Sequence, residues 1–328
     1  MHQTIWDQIR SFIKDKDSFL ITTHQNPDGD AIGSQVALAH FLRQLDKTVY
    51  MINCDSTPRF FQFLDPNNQI LIYDREKHFD LLKRIKGGFI VDISDWKRLA
   101  DLGIDLQKLG MSLAVIDHHI PTDQIGDIQI SDQHASSTGE IVYDLLQAFQ
   151  AELTMPIMEA LYTCLLTDTG SFCFSNTTAK TLRIASDLVQ RGAPFRKIYL
   201  QVYESQSISR ARLLGKLYSG LEFDCDGKLA WFNITQSLLK ETGADRWEAE
   251  GFSEIPRTID GVQVSLLFSE SDNGHTKVSF RSKGKFAVNE LAGEFGGGGH
   301  KFAAGAKIDL PPTEAIPRVL ARAKMLFE

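Results

Sequence analysis

The chain has 328 residues, of which 43% are hydrophobic and 23% are charged, and its formal net charge at pH 7 is -7. This length is enough for two hydrophobic cores, and the composition is typical of a soluble globular protein. The acidic balance excludes the broad cationic surface that binds long duplex DNA, whereas short or single nucleotides are compatible with it. Residues 1–16 lack the apolar core of a targeting peptide and no stretch is long enough to span a membrane, so we expect a cytoplasmic protein without a membrane partner.

Short apolar runs alternate with helix-length segments through the first part of the chain. The runs are residues 19–22, 48–52, 70–73, 89–91 and 113–116. This alternation predicts an α/β fold with a doubly wound, mostly parallel sheet and helices on both faces. Ligands of such sheets bind beyond the carboxyl ends of the strands, near the point where the strand order reverses.

Helical patterning follows at residues 139–150, 155–166 and 177–191. Strand-like runs then appear at residues 229–234, 262–268 and 276–280, before a helical segment at 288–295. We therefore predict a first domain over residues 1–192, a mostly helical connector over 193–218 and a smaller α+β domain over 219–328.

Titratable side chains follow three of the predicted strands, and one more carboxylate lies in a later polar turn. They are His24, Asp28, Asp30, Asp92, Asp117, His118, His119 and Asp168. Each residue alone is also compatible with a role in a turn or as a helix cap. Six of them supply four carboxylates and two imidazoles, namely His24, Asp28, Asp30, Asp92, His118 and Asp168. This set is enough for two divalent ions, which would deprotonate a bridging water and stabilise a displacement at phosphorus. Asp92, alone at a strand end, is the candidate for the carboxylate that bridges both ions.

The order of these motifs resembles a known family. Residues 24–34 (HQNPDGDAIGS), Val91-Asp92, Asp117-His118-His119 and Asp168 are similar to the four ordered motifs of the DHH phosphoesterases. Residues 296–300 (GGGGH), with Arg281 upstream, resemble the family's associated C-terminal domain. Chain length points to the nanoRNase branch, whose members hydrolyse short oligoribonucleotides and 3′-phosphoadenosine 5′-phosphate (pAp).

The resemblance implies roles for individual residues. The two ions would be Mn²⁺ by this resemblance, and Mg²⁺ and Co²⁺ are alternatives. One ion would be bound by His24, Asp28 and Asp92. The ligands of the second ion would be Asp30, Asp92, His118 and Asp168. His119 and Asp92 would be the catalytic residues, with His119 contacting the substrate phosphate or protonating the leaving group, and Asp117 would orient its neighbours.

The glycine-rich segment has two interpretations. By composition it is a flexible turn, but the resemblance implies that it binds the substrate's phosphate or terminal nucleotide. The residues assigned to this role are Arg281, Gly297, Gly298, Gly299 and His300, and we expect the active site to lie in a cleft between the two domains.

The expected activity is hydrolysis of short oligoribonucleotides to nucleoside 5′-monophosphates and of pAp to AMP. A phosphodiesterase acting on cyclic di-AMP or linear pApA is the main alternative, and a non-catalytic nucleotide sensor is another. The sequence leaves the oligomeric state open, including a homodimer. It also leaves open whether Arg98 contacts phosphate and whether residues 137–140 (STGE) form more than a capping box.

Overall fold

The computed structural model describes residues 4–93, 95–121, 123–249, 251–271 and 273–327. The chain divides into two compact units, Met1–Ser205 and Gln206–Glu328. Both units have their own hydrophobic core. The described helices include none with both the length and the apolar composition needed to cross a membrane.

The first unit alternates strands and helices as the sequence predicts. Its elements are α1 (Ile5–Lys14), β1 (Ser18–Thr22), α2 (Gly29–Gln44), β2 (Thr48–Asn53), β3 (Ile70–Ile72), α3 (Arg75–Leu82), β4 (Gly87–Val91), α4 (Ala100–Leu109), β5 (Leu113–Asp117), β6 (Ile128–Ser131), α5 (Thr138–Ala148), α6 (Met155–Asp168), α7 (Ala179–Gln190) and α8 (Phe195–Tyr203). Short 3₁₀ helices cover Arg59–Leu64 and Trp96–Leu99.

Within the described residues, six strands form one sheet in the order β3-β2-β1-β4-β5-β6, and every neighbouring pair is parallel. The predicted doubly wound parallel sheet is therefore confirmed. The strand order reverses between β1 and β4, which is the topological switch point where α/β proteins bind ligands.

Helices cover both faces of this sheet, as the alternation of side chains in β1 shows. Phe19 and Ile21 belong to the core that contains α1, α2, α5 and α6. Leu20 points the other way and packs with Leu82 and Leu102 from α3 and α4. Because all three side chains are fully buried, β1 reads as a continuous apolar run rather than an alternating one.

Helices α2 and α6 lie unusually close together. A Cβ atom at Gly33 of α2 would lie only 2.6 Å from the carbonyl oxygen of Ala160 in α6, which excludes any side chain there. A Cβ atom at Gly29 would likewise lie 2.6 Å from the side chain of Thr167, so the start of α2 packs against the end of α6.

The second unit is a mixed sheet with helices. It contains α9 (Ile208–Ser219), β7 (Glu222–Asp224), β8 (Leu229–Ile234), α10 (Gln236–Thr242), β9 (Val264–Glu270), β10 (Thr276–Ser282), α11 (Val288–Gly293), β11 (Gly298–His300), β12 (Ala303–Ile308) and α12 (Pro312–Lys324). The strand order among the described residues is β11-β12-β10-β9-β8-β7, with β8 and β9 parallel and the other neighbours antiparallel. This unit confirms the predicted α+β class, and it adds β7, β11 and β12 to the strands that the sequence indicated.

Candidate active site

Three parallel strands deliver the titratable residues to one edge of the first sheet. His24 follows β1, Asp92 follows β4, and His118 follows β5, so all three lie at carboxyl ends on the two sides of the switch point. The backbone of Asp92 has a φ of +61°, a left-handed conformation that is strained for a residue with a side chain. Such strain is common where a side chain must be aimed at a functional site.

Among the described residues, the ligand atoms form three groups in which all atoms lie within 4.8 Å of one another. The groups are His24, Asp28 and Asp92; Asp30, His118 and Asp168; and Asp92, His118 and His119. The structure therefore brings together every residue that was predicted from the sequence to bind metal. Asp92 belongs to two of the groups and connects them.

The start of α2 fixes Asp28. As the N-cap residue, Asp28 accepts hydrogen bonds through Oδ1 from the backbone N–H groups of Asp30 and Ala31, both at 3.0 Å. The same carboxyl group lies in the cluster with His24 and Asp92. Helix capping and ligand positioning are thus roles of one side chain.

Asp30 is held by the start of another helix, α5. Its Oδ2 accepts the N–H of Thr138 at 2.6 Å and its Oδ1 accepts the N–H of Gly139 at 2.9 Å. A helix N-terminus stabilises a carboxylate in this way through its unpaired N–H groups and its dipole. A Cβ atom at Gly139 would lie 2.3 Å from the Cβ atom of Cys164, so only glycine allows this approach.

The segment before α5 was predicted as a capping box, and the structure shows half of one. The hydroxyl oxygen of Ser137 accepts the N–H of Glu140 at 3.2 Å. The Glu140 carboxylate instead accepts hydrogen bonds from the Ser136 hydroxyl at 2.8 Å and the Thr181 hydroxyl at 3.0 Å. In addition, the Thr138 hydroxyl donates to Oδ1 of Asp92 at 3.0 Å. The segment therefore positions two carboxylates of the cluster.

His24, which is buried, and His118, which is partly exposed, present the correct nitrogen for a metal. Nδ1 of His24 lies 2.8 Å from the carbonyl oxygen of Gln25, and since a carbonyl only accepts, Nδ1 carries the proton. Burial lowers the pKa of His24, so the ring is neutral near pH 7 and Nε2 has a lone pair. That lone pair faces Oδ2 of Asp92 at 3.3 Å. Two electron donors in this arrangement repel each other unless a proton or a metal cation lies between them, so these residues fit a divalent ion.

His118 repeats the arrangement. Its Nδ1 lies 3.3 Å from the carbonyl oxygen of Ala135. Its Nε2 lies 3.4 Å from Oδ2 of Asp168, 3.7 Å from Oδ1 of Asp92 and 3.9 Å from Oδ2 of Asp30. One imidazole nitrogen thus faces three carboxylates, which is a donor set for a hard or borderline divalent ion.

The carboxylates share a strong excess of negative charge. Burial, followed by the charges of Asp30 and Asp28, raises the pKa of Asp92 well above its usual range. The same causes raise the pKa of Asp168 to about 9. Burial also raises the pKa of Asp30, although the nearby His118 acts in the opposite direction. Bound cations would supply the missing positive charge.

His119 differs from the other two histidines because a side chain orients it. Its Nδ1 lies 2.8 Å from Oδ1 of Asp117, a hydrogen bond that raises the pKa of His119. Burial raises the pKa of Asp117, but the hydrogen bonds and charge of His119 outweigh this and the net shift is downward. The His119 side chain is 35% exposed whereas Asp117 is fully buried, so His119 is the member of the pair that a substrate can reach.

Arg98 brings a positive charge to the rim of the cluster. Burial is the largest cause that lowers the pKa of His24, the charge of Asp28 opposes it, and the Arg98 guanidinium lowers this pKa further. The same guanidinium offsets part of the increase in the pKa of His119. The Arg98 side chain is exposed, and its carbonyl oxygen accepts the N–H of Gln25 at 2.8 Å. Arg98 is therefore next to the cluster and available to an anionic ligand.

The sequence did not identify three residues that hold the site together. Two are Thr138 and Gly139, which act mainly through backbone N–H groups. The third is Asn176, whose Nδ2 donates to the carbonyl oxygens of Ser136 at 2.9 Å and Asp168 at 3.1 Å. The run Ser-Thr-Gly before a helix was the available signal for the first two, whereas Asn176 in Ser-Asn-Thr-Thr has the pattern of an ordinary loop.

In the second unit, Arg281 of β10 is already engaged. Its Nε donates to Glu254, and its Nη1 donates to the carbonyl oxygen of Phe280 at 3.0 Å. Glu254 also pairs with Arg257. A phosphate that binds Arg281 would therefore compete with, or join, an existing ion pair.

Each of the four consecutive glycines, residues 296–299, occupies a different structural environment. Gly296 (φ +72°) ends α11 as a Schellman motif, in which the N–H of Gly296 donates to Gly293 and that of Gly297 to Ala292. Gly297 lies against β12, where an added Cβ would be 2.1 Å from the carbonyl oxygen of Gly305. Gly299 combines φ +141° with a similar close approach to Ala303.

Gly298 is different, because an added Cβ would have no heavy atom within 4 Å among the described residues. It lies in β11, an edge strand that pairs only with β12 in the described sheet, and the neighbouring His300 is exposed. Residues 298–300 thus form a strand rather than the flexible turn that the composition suggests, and they present backbone groups at a sheet edge.

A parallel α/β unit with paired carboxylate and imidazole groups at its switch point, followed by a mixed α+β unit, defines a two-domain protein with a candidate dinuclear metal centre. The model of the DHH family, N-terminal domain matches residues 18–168, and the DHHA1 domain model matches residues 233–328. The chain therefore belongs to the DHH family, which confirms the resemblance seen in its motifs.

Known proteins are similar over nearly the whole chain. A relative from Thermus thermophilus, named bifunctional oligoribonuclease and PAP phosphatase NrnA, is 31% identical, covering 92% of this chain and 87% of that protein. The crystal structure of an exopolyphosphatase-related protein from Bacteroides fragilis matches with a TM-score of 0.92 at 31% identity, covering 98% of this chain and 97% of that chain. Cyclic-di-AMP phosphodiesterase GdpP from Geobacillus thermodenitrificans is 26% identical over 92% of this chain, which spans 46% of that protein.

Proposed function

We propose that this protein hydrolyses short oligoribonucleotides to nucleoside 5′-monophosphates and removes a phosphate from pAp to leave AMP. The similarity to the Thermus thermophilus relative, which covers most of both chains, supports this substrate class. The observation that carries the proposal is the connected pair of carboxylate and imidazole groups at the switch point of the first sheet. The net charge of -7 favours small substrates over long nucleic acids.

Two of the groups of atoms support the ligand sets that the resemblance implies, and Asp92 joins the second set because its Oδ1 lies 3.7 Å from Nε2 of His118. We assign His24, Asp28 and Asp92 to one ion, and Asp30, His118, Asp168 and again Asp92 to the other. Two divalent ions bound there would lower the pKa of water and neutralise charge on the phosphoryl oxygens. The mixture of oxygen and imidazole ligands suits Mn²⁺, because Mg²⁺ and Ca²⁺ prefer oxygen alone.

The protein's own groups orient the substrate and move a proton. His119 donates Nδ1–H to Asp117, so a proton for the leaving oxygen comes from Nε2, and the raised pKa of His119 favours the protonated ring near neutral pH. The exposed guanidinium of Arg98 is suited to a phosphate oxygen at the rim. Thr138 and Gly139 keep Asp30 in place and take no part in proton transfer.

For the other end of the substrate we propose the residues of the second unit that the sequence indicated. The backbone of Gly297, Gly298 and Gly299, with the exposed His300, would bind a terminal phosphate or nucleotide, because glycine allows close approach to the main chain. Arg281 would add positive charge while it remains paired with Glu254.

The test is the Asp92→Asn variant with a short diribonucleotide and with pAp. Because Asp92 belongs to two ligand groups, we expect kcat/KM to fall at least about a thousandfold for both substrates, equivalent to about 4 kcal/mol of transition-state stabilisation. Asp15→Asn, an exposed position that directly follows α1, is the matched control and should leave both activities unchanged. Hydrolysis that survives in folded Asp92→Asn protein would contradict the two-metal assignment.

A phosphodiesterase for cyclic di-AMP or pApA is the second candidate, favoured by the similarity to GdpP over 92% of this chain. Turnover of the diribonucleotide, pAp, pApA and cyclic di-AMP by one preparation separates the two. Preference for cyclic di-AMP over all linear substrates would overturn the proposed order.

A further inference from the structure

A pocket in the first unit lies apart from the metal cluster. It is formed by the C-terminal half of α2, by β2, by the segment 63–69 and by the first turns of α6, and its volume is about 140 Å³. Val36, Met51 and Leu64 form a buried apolar floor. His40 and Arg43 are 10 and 13 residues after Asp30 on α2, which places their backbones about 15 and 20 Å along the helix from that carboxylate.

The basic and the acidic side chains that line this pocket differ in whether they have hydrogen-bond or ion-pair partners. Oδ1 of Asp65 accepts the N–H of Gln69 and Oδ2 that of Ile70, both at 2.8 Å, and Glu159 pairs with Lys197 at 3.1 Å. His40 and Arg43 are half-buried, and within the described parts of the chain neither side chain has a hydrogen bond or an ion pair. Neither side chain contributes a nitrogen to the buried, unpartnered atoms of the described residues, so the donors of both remain accessible to an incoming anion.

The pKa shifts of the two basic side chains agree with this difference in pairing. Burial, and then the neighbouring Arg43, lowers the pKa of His40. Burial also lowers the pKa of Arg43, and the charge of Asp65 only partly offsets it. An oxyanion placed between the two side chains would relieve both effects, and the planar guanidinium matches its geometry.

We propose that this pocket binds a small phosphomonoester, with its phosphate on Arg43 and His40 and its organic group on the apolar floor. The ligand is an organic phosphate rather than free phosphate because the cavity is larger than one phosphate group needs and its floor is apolar. The pocket shares α2 with the metal cluster, since this helix begins at the Asp28 and Asp30 ligand turn and ends at the pocket.

The test uses the full chain labelled with ¹³C at the methionine methyl groups, in the presence of a chelator so that no metal-dependent binding contributes. Met51 lies in the pocket floor, whereas Met111 and Met325 are reference signals outside it. Ribose 5-phosphate should shift the Met51 signal in a saturable way and leave the reference signals unchanged. Inorganic phosphate should bind more weakly, and neutral adenosine should cause no shift.

Arg43→Gln should weaken the affinity for ribose 5-phosphate at least about tenfold, the loss expected when a charged hydrogen-bond donor is removed. Arg183→Gln, at an exposed arginine of α7, is the matched control and should leave the affinity unchanged. A second variant, His40→Gln, keeps the test valid if the first fails to fold. The proposal is overturned if the Met51 signal stays fixed, if adenosine shifts it equally, if inorganic phosphate binds as tightly, or if neither folded variant weakens binding. Because no hydrolysis is measured, these outcomes are independent of the proposed activity.

Discussion

Substituting Gly298 by alanine separates a structural role of the glycine-rich segment from a role in substrate binding. The new Cβ would meet no described atom within 4 Å, and φ at this position lies outside the left-handed region. We therefore expect the free energy of unfolding to stay within about 0.5 kcal/mol of the original, as for other unstrained surface changes.

The expected effect on function is larger. If a phosphate approaches the backbone of β11, the added methyl group blocks at least one hydrogen bond from an N–H group to a charged oxygen. Such a bond is worth about 1.5–3 kcal/mol, which corresponds to a rise in KM of about 10- to 150-fold. The value of kcat should change little, because the metal cluster lies in the other unit.

Gly297→Ala is the matched structural comparison. Its Cβ would lie 2.1 Å from the carbonyl oxygen of Gly305 and 2.6 Å from the Cβ atom of Ala306, so the backbone must shift. Overpacking of this kind costs about 1–3 kcal/mol in unfolding free energy. Urea unfolding gives the stability of both variants, and steady-state hydrolysis of a diribonucleotide gives KM and kcat.

The result that refutes the reasoning is an unchanged KM in stable Gly298→Ala protein, which would show that no phosphate approaches this strand. A loss of stability as large as that of Gly297→Ala would show instead that the open side of Gly298 is filled by another part of the chain.

Two further predictions concern charge at the first site. In chelator-treated protein the pKa of Asp168, raised to about 9, means that the folded state keeps a proton that the unfolded state loses. The free energy of unfolding should therefore fall between pH 7 and 8.5 by up to about 1.4 kcal/mol per pH unit for this proton, and the raised pKa of Asp92 acts in the same direction. Asp168→Asn should flatten the slope, and an unchanged slope in urea titrations would contradict the charge excess. Arg98→Gln should raise KM for pAp about tenfold, as expected for a lost charged hydrogen bond, without changing thermal stability, whereas an unchanged KM would assign Arg98 to the ordinary surface.

The sequence was informative where chemistry depends on a side chain at a strand end. Asp92 and His118 directly follow apolar runs, and the parallel topology then requires them to be neighbours. Strand β6 was not predicted because its sequence, Ile-Gln-Ile-Ser, is short and half polar and follows a long loop. Strand β12 was missed because its residues are mostly alanine and glycine, which have low strand propensity.

The contacts that support the site residues were harder to predict from the sequence. Thr138 and Gly139 hold Asp30 through backbone N–H groups, which nearly every residue type has, so no residue pattern reports the contact. The pairing of Arg281 with Glu254 joins residues 27 positions apart in separate elements, and composition alone does not connect them. The glycines of the C-terminal segment could be located, but whether each serves a helix end, a close contact or an open edge required coordinates.

The three histidines of the cluster differ in whether a main-chain group or a side chain fixes the orientation of the ring. His24 and His118 are oriented by main-chain carbonyl groups, those of Gln25 and Ala135, which persist whatever side chains occupy those positions. The orientation of His119 depends on the carboxylate of Asp117, which also raises the pKa of the ring. A single substitution of Asp117 would therefore remove both effects. The proposed metal coordination is therefore robust to sequence changes around it, whereas the proposed proton donation by His119 depends on one side chain. On this proposal, relatives could differ in pH optimum and leaving-group preference while keeping the same metal ligands.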